Sequence, residues 1–352
     1  MKDKNIFKLD ETGCLSQDDT KKYYSRIGFF YLILAGTTFI VSLLSEIAII
    51  NFFPWVLNDG ITRSLVDYAI SFIGIYLIAT PLATIALKPL PRMAPLKEKM
   101  RFKHLFAALC ICFSFMLTGS YFSQYLQMFA EMITGKTLSN PVEQTLSTGS
   151  IIINALFVGI LFPILEELLF RKLLCNKLLP LGEMQAVVIS ALIFGFIHGN
   201  IFQFAYAFLI GLVFGYVYVK SGKIIYSIIF HCALNLFTGI FANFAVSNPS
   251  VDIVLKMLED ETLLYKPELL AEMIEPYIMD LIPFLIYSYV LMGFSIAGFI
   301  IFFIITLRRK ITFEQGILPP QKEHSISNFF LTGGVACAIA FIAFEFIISI
   351  MV

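Results

Sequence analysis

Charge is what this chain has least of. Only 14% of its 352 residues are Asp, Glu, Lys or Arg, against 58% apolar, and the mean hydropathy is +0.83. That balance excludes a water-soluble globule of this size. The 25 basic and 25 acidic residues cancel, and no basic stretch interleaved with aromatics occurs, which removes nucleic acid as a partner. The six cysteines, Cys14, Cys110, Cys112, Cys175, Cys232 and Cys337, lie mostly inside apolar runs without paired or metal-type spacing. They read as small buried hydrophobes rather than as disulfides or ligands. The first 26 residues contain no short apolar core followed by a cleavage site, so the first membrane helix is expected to serve as the insertion signal. No internal repeat and no soluble domain is visible.

Long apolar runs fill the rest of the chain, and they specify an all-α, polytopic transmembrane helical bundle of eight to nine membrane helices. A polar tail, 1–26, is expected to be flexible and cytoplasmic. Spans follow at 27–52, 65–87 and 104–133, making an N-terminal membrane block of 27–148 that ends in a polar loop, 134–148. The next span, 149–170, is followed by a short apolar segment at 185–199, a turn at Gly199-Asn200, and spans at 201–219 and 224–245. The block 149–245 carries the polar motifs. An acidic external loop, 246–280, contains eight acids against Lys256 and Lys266, and part of it is expected to form an amphipathic helix. Spans at 281–307 and 328–352 complete a C-terminal block, 281–352. The loops rich in Lys and Arg, at 88–103, 171–184, 220–223 and 308–310, all fall on one side, which the positive-inside rule assigns to the cytoplasm together with the N-terminus. The chain is thus expected to be an integral, multi-pass protein of a bacterial plasma membrane, the Ile, Phe and Lys preference resembling an AT-rich genome.

Against this apolar background a few polar groups stand out. Pro163-Ile-Leu-Glu-Glu-Leu-Leu-Phe-Arg171 sets two carboxylates and an arginine at the end of an apolar run, and ionisable groups there mark a functional site. Glu167 and Arg171 are four apart with the acid first, so they can pair along one helical face, while Glu166 points about 100° away. In Ala191-Leu-Ile-Phe-Gly-Phe-Ile-His-Gly199, Phe194 and His198 share a face, and Gly195 and Gly199 form a step that lets another helix approach. In Ile229-Phe-His-Cys-Ala-Leu-Asn235, His231 and Asn235 share a face. Two of the four histidines thus lie in apolar segments, where unpartnered polar groups are costly. Glu166, Glu167, Arg171, His198, His231 and Asn235 are therefore expected to meet in one polar cavity.

Glu-Glu-x-x-x-Arg at 166–171, Phe-x-x-x-His at 194–198 and His-x-x-x-Asn at 231–235, in that order on membrane helices, resemble the three motifs of the CAAX protease and bacteriocin-processing family of intramembrane endopeptidases. The text from Gly211 to Gly222 leading into Ser227-Ile-Ile-Phe-His231 also resembles that family, and the likeness covers about 149–245. One departure is Lys172, where the family often has glycine. The resemblance implies a helical bundle whose catalytic cavity opens toward the cytosolic side. It implies that Glu166 acts with His198 to activate a water, that His231 and Asn235 stabilise the oxyanion, and that Glu167 and Arg171 hold the site together. The implied partners are a membrane-associated peptide or protein substrate and the lipid bilayer.

Other readings compete with this one. For Glu167 and Arg171 a structural ion pair is the stronger reading. Two histidines and a carboxylate can also bind zinc, but Asn235 as the fourth group and the lack of a His-Glu-x-x-His pair favour a metal-free glutamic protease, with no cofactor. A transporter would show matched broken helices, which are not found; an idle regulator or peptide-immunity protein using the same cavity stays open. Glu46 and Glu131 read as helix-end groups, Glu345 has no explanation, and His104 and His324 are flanking residues. A geometric tension also stands. Glu166 is expected one turn from the end of its helix, whereas His198 lies roughly 20 Å along its own.

Overall fold

The computed structural model describes residues 7, 9–148, 150–321, 329 and 332–351; the expectations that touch 1–6, 149, His324 and the start of the last span lie outside these. Helix α1, Gln17–Phe52, begins well before the expected start at 27. The Ser16 hydroxyl accepts from the Asp19 amide, and Asp18 and Asp19 occupy the first turn, where carboxylates favour the helix dipole. Tyr23 and Tyr24 are buried, and Tyr23 donates from its hydroxyl to the Lys177 carbonyl. The expected flexible tail is thus helical and docked over 17–26.

Helix α2, Gly60–Leu87, starts at an Asp59 cap, and α3, Phe102–Thr134, stops at Gly135, whose φ of 66° favours glycine. A short helix, α4, Pro141–Thr148, occupies much of the expected polar loop. Helix α5, Ile151–Leu181, passes the expected end at 170 without a break. Arg171 does not terminate it, because that side chain is fully buried among partners rather than released to water. Helices α6, Glu183–Phe196, and α7, Ile201–Ser221, form the expected hairpin, turning at Gly199 (φ 64°) and the α7 cap Asn200. Helix α8 spans Ile224–Val246. The acidic segment holds α9, Pro249–Glu259, α10, Glu261–Leu264, and α11, Pro267–Ile274; α9 turns Val251 and Val254 onto Leu281, an amphipathic arrangement as expected. Helices α12, Ile278–Leu307, and α13, Gly333–Met351, close the bundle.

Among the described residues eight helices are long and apolar enough to cross a membrane, and α6, with 14 residues, is shorter. At 1.5 Å per residue α6 reaches about 21 Å, less than a hydrocarbon core of about 30 Å. The architecture is an all-α polytopic bundle with α7 at its centre: 61% of the α7 span is buried, against 11% of the stretch that ends in α12. Glycine makes the central contacts close. A Cβ on Gly211 would stand 3.2 Å from the Ala191 Cβ, and one on Gly119 would stand 2.3 Å from the Tyr206 Cα, so α6 and α3 both press onto α7 with no room for a side chain.

The basic loops gather at one end of the bundle. The Met93 amide donates to the Asn176 carbonyl, the Glu98 amide to Ser221, the Glu183 amide to Glu314 and the Leu15 amide to Pro319, at 2.8–3.0 Å. Segments 88–101, 220–223 and 308–320 and the α5–α6 turn therefore form one joined cap, which also holds the start of α1.

Candidate active site

Helix α5 supplies three of the six polar side chains, and its backbone is irregular on both sides of the two carboxylates. Turns of π-helix occupy Phe157–Leu161 and Leu168–Cys175, and α8 has another at Asn235–Phe241. Pro163 offers no N–H to the residue four back, which accounts for the ladder slipping just before the carboxylates. Such turns recur at functional sites because they re-aim neighbouring side chains.

Glu167 is fully buried, and its Oε2 accepts from Arg171 Nε at 3.2 Å. Its Oε1 lies 3.3 Å from His231 Nδ1 on α8. The Arg171 guanidinium donates through a terminal nitrogen to Ser190 Oγ on α6 at 3.1 Å and lies over the rings of Phe194 and Phe214, 5.4 and 6.0 Å from their centroids. Its other terminal nitrogen is buried without a hydrogen-bond acceptor among the described residues, and the two ring faces are negative surfaces it meets. One arginine thus joins α5, α6 and α7.

Glu166 differs from its neighbour in access. Its side chain is 24% exposed, and Oε2 lies 3.5 Å from His231 Nε2. His231, 3% exposed, therefore has a carboxylate at each ring nitrogen. The Phe194 ring stands edge-on to both imidazoles, 5.5 Å from His231 and 5.3 Å from His198. His198 Nδ1 is 2.9 Å from the Phe194 carbonyl. A carbonyl only accepts, so Nδ1 carries the hydrogen and Nε2 presents its lone pair. Asn235 Nδ2 donates to the Val158 carbonyl at 2.9 Å, bridging the π-helical turns of α5 and α8.

The structure brings Glu166, Glu167, Arg171 and His231 into one contiguous cluster, joins His198 to it through Phe194, and sets Asn235 one turn beyond His231 on the Val158 carbonyl. Glu166 has His231 rather than His198 as its direct partner. The tension in depth disappears with the longer α5: Glu166 and His198 each lie fifteen residues from the end of α5 or the start of α6 at the Gly182 turn, about 22 Å along either arm. Ser190 was not singled out in the sequence, although it precedes Phe194 on α6 and His198 in the turn after it at four-residue steps. Phe214 carried no signal among 37 phenylalanines.

The remaining acids find partners too. Glu345 on α13 accepts from the Tyr31 hydroxyl at 2.8 Å, and its Oε1 lies 3.4 Å from where a Cβ on Gly199 would stand, so α13 caps the turn that follows His198. Glu46 pairs with Arg63 at 2.7 Å, and Glu131 accepts from Gln127 and from the Leu138 amide. A cavity of about 610 Å³ lies beside α3 and α7, lined by Ser120, Ser123, Gln124, Gln127 and Tyr206 among others. The Ser123 hydroxyl is buried there without a hydrogen-bond partner among the described residues.

Residues 148–237, which include all six polar positions, match the family model described as Type II CAAX prenyl endopeptidase Rce1-like. Among curated proteins, the UPF0177 protein YxdF of Lactococcus lactis subsp. lactis (strain IL1403) is 28% identical over 138 residues, covering 39% of this chain and 76% of that protein. No solved structure matches the chain.

Proposed function

We propose that this chain, whose residues 148–237 carry the pattern of the CAAX protease family, is a glutamic-type intramembrane endopeptidase that hydrolyses a peptide bond of a membrane-associated peptide or protein. The observation that carries the reading is the unequal treatment of two adjacent acids: Glu167 is sealed against Arg171, while Glu166 keeps access and is steadied by His231. A carboxylate that is positioned but not neutralised by a permanent cation suits a general base.

In the proposed reaction Glu166 takes a proton from a water whose oxygen attacks the scissile carbonyl, with the His198 Nε2 lone pair as the second acceptor aimed at that water. The tetrahedral intermediate then collapses, and the captured proton passes to the departing amine, so one water is divided between the two new termini. Asn235 gives one amide hydrogen to Val158 and has a second for the oxyanion; a fixed donor of this kind is worth about 10²–10³ in rate.

The donor set suits a metal poorly. Among the described residues no three His, Cys, Asp or Glu side chains converge closely enough to hold an ion, short of the three or four converging ligands of a zinc site. Cleavage should therefore survive strong chelators; restoration of a chelated enzyme by one divalent ion would move the mechanism to a metal. In this reading the end with the joined basic loops faces the cytoplasm, an orientation supported by the positive-inside rule.

The test of the enzyme reading is Glu166→Gln, which keeps shape and removes the ionisable oxygen. New peptide termini in membrane proteomes of cells carrying wild-type protein should fall by about 10²–10⁴ in rate with the variant, while its thermal stability in detergent is retained. His198→Ala should act alike, and the double variant should cost far less than the product of the two. A cellular phenotype fully supported by Glu166→Gln would mean that the cavity binds, as in a regulator or immunity protein, and does not cut.

A further inference from the structure

A second cavity, of about 380 Å³, lies between the end of α2 and the C-terminal half of α5. Four cations line it, Lys88, Arg92, Lys172 and Lys177, with Leu168 and Leu173 among its apolar walls and no acid among its lining residues. Lys177 Nζ donates to the Leu90 carbonyl at 2.5 Å, and Arg92 reaches the Lys172 carbonyl at 3.5 Å. Neither contact supplies a negative charge. Among the described residues no carboxylate pairs with any of the four.

We infer that this cavity binds the anionic headgroup of a phospholipid. Like charges held together without counter-charges repel, and an anion seated among them removes that cost. A phosphate matches the planar fork of Arg92 and the point charges of the lysines. The apolar surroundings point to a lipid rather than to a free ion. Leu168, one of the cavity's own walls, is 40% exposed, so an acyl chain has an apolar surface to lie against while the headgroup meets the cations. Basic pockets between membrane helices at their cytoplasmic ends bind anionic headgroups for this reason. The cavity is separate from the carboxylate cluster but shares its backbone: Lys172 follows Arg171 in the same π-helical turns, Leu168–Cys175, with one side chain exposed to the cavity and the other sealed inside.

The full-length protein in nanodiscs or mixed micelles tests this, with retained lipid read by native mass spectrometry and protection by the thermal midpoint. Phosphatidylglycerol should be retained in preference to phosphatidylcholine. Lys88→Gln, Arg92→Gln and Lys172→Gln should each weaken that retention about fivefold, and all three together about a hundredfold, since each such cation contributes on the order of one kilocalorie. Lys256→Gln, on the acidic segment, should change nothing. Should the triple variant fail to fold, the single variants decide. Equal retention of the two lipids, or phosphatidylglycerol retention indifferent to the single substitutions, overturns the site. Equal protection by inorganic phosphate at the same free concentration overturns the lipid as its occupant. Because the readout is binding, each result stands whether or not the chain cuts peptides.

Discussion

Two arginines in this bundle are each held by helix-borne acids, and the better-looking pair is the less important one. Arg63 meets Glu46 at 2.7 Å and Asp67 at 2.8 Å, but the three side chains are 26%, 44% and 41% exposed. Arg171 meets Glu167 at a longer 3.2 Å, yet both are fully buried. At an exposed site water replaces whatever is lost, so short distances are worth little. In the buried site nothing replaces it, and a removed partner leaves a charge stranded. Burial rather than distance decides which cluster the fold depends on.

The sharpest way to test the contrast is catalytic. Glu166→Gln should abolish cleavage by the factor given above, whereas Glu46→Gln, in the exposed cluster, should leave the cleavage rate within about twofold, since general-base loss applies only to a group at the reacting atoms. Similar losses from both would remove the distinction. Next in size, Arg171→Ala should lower stability by about 3–5 kcal/mol, read as denaturant or thermal midpoint in detergent, because Glu167 loses its cation in a dry setting. Unchanged stability with lost cleavage would instead give Arg171 a direct role at the substrate. Ser190→Ala removes the acceptor of one charged hydrogen bond and should cost about 1.5–3 kcal/mol; its cleavage defect should scale with loss of folded protein. The smallest effect belongs to Arg63→Ala, about 0.2–1 kcal/mol, and that difference should shrink further in high salt. A cost at Arg63 as large as that at Arg171 would mean that the exposed cluster is shielded by lipid rather than reached by water.

Much of the bundle was legible because helices and their apolar runs are local properties. Among the described residues each expected apolar segment coincides with a helix, and the i,i+4 spacing placed Arg171 on Glu167. Boundaries were less legible. The chain was expected to leave the membrane at Arg171-Lys172 because charges usually end a span, but only Lys172 is exposed; Arg171 turns inward to Ser190, Phe194 and Phe214, contacts made across other helices. The start of α1 was missed because Tyr23 and Tyr24 find their cover against distant residues, Phe7 and Phe329.

The sequence by itself determined the membrane class, the order of helices, the basic loops that share one end and the three motifs in their order. Each follows from hydropathy, charge or spacing along a single helix, where the backbone period fixes which residues are neighbours. Tertiary structure alone decided that His231 stands between both carboxylates, that Glu166 keeps access while Glu167 does not, and that Glu345 closes on the turn after His198. Those are meetings between helices far apart in the chain. Their angles and depths are set by close approaches such as Gly211 on Ala191, by π-helical turns that shift register within a helix, and by the joined basic loops that hold one end of the helices together.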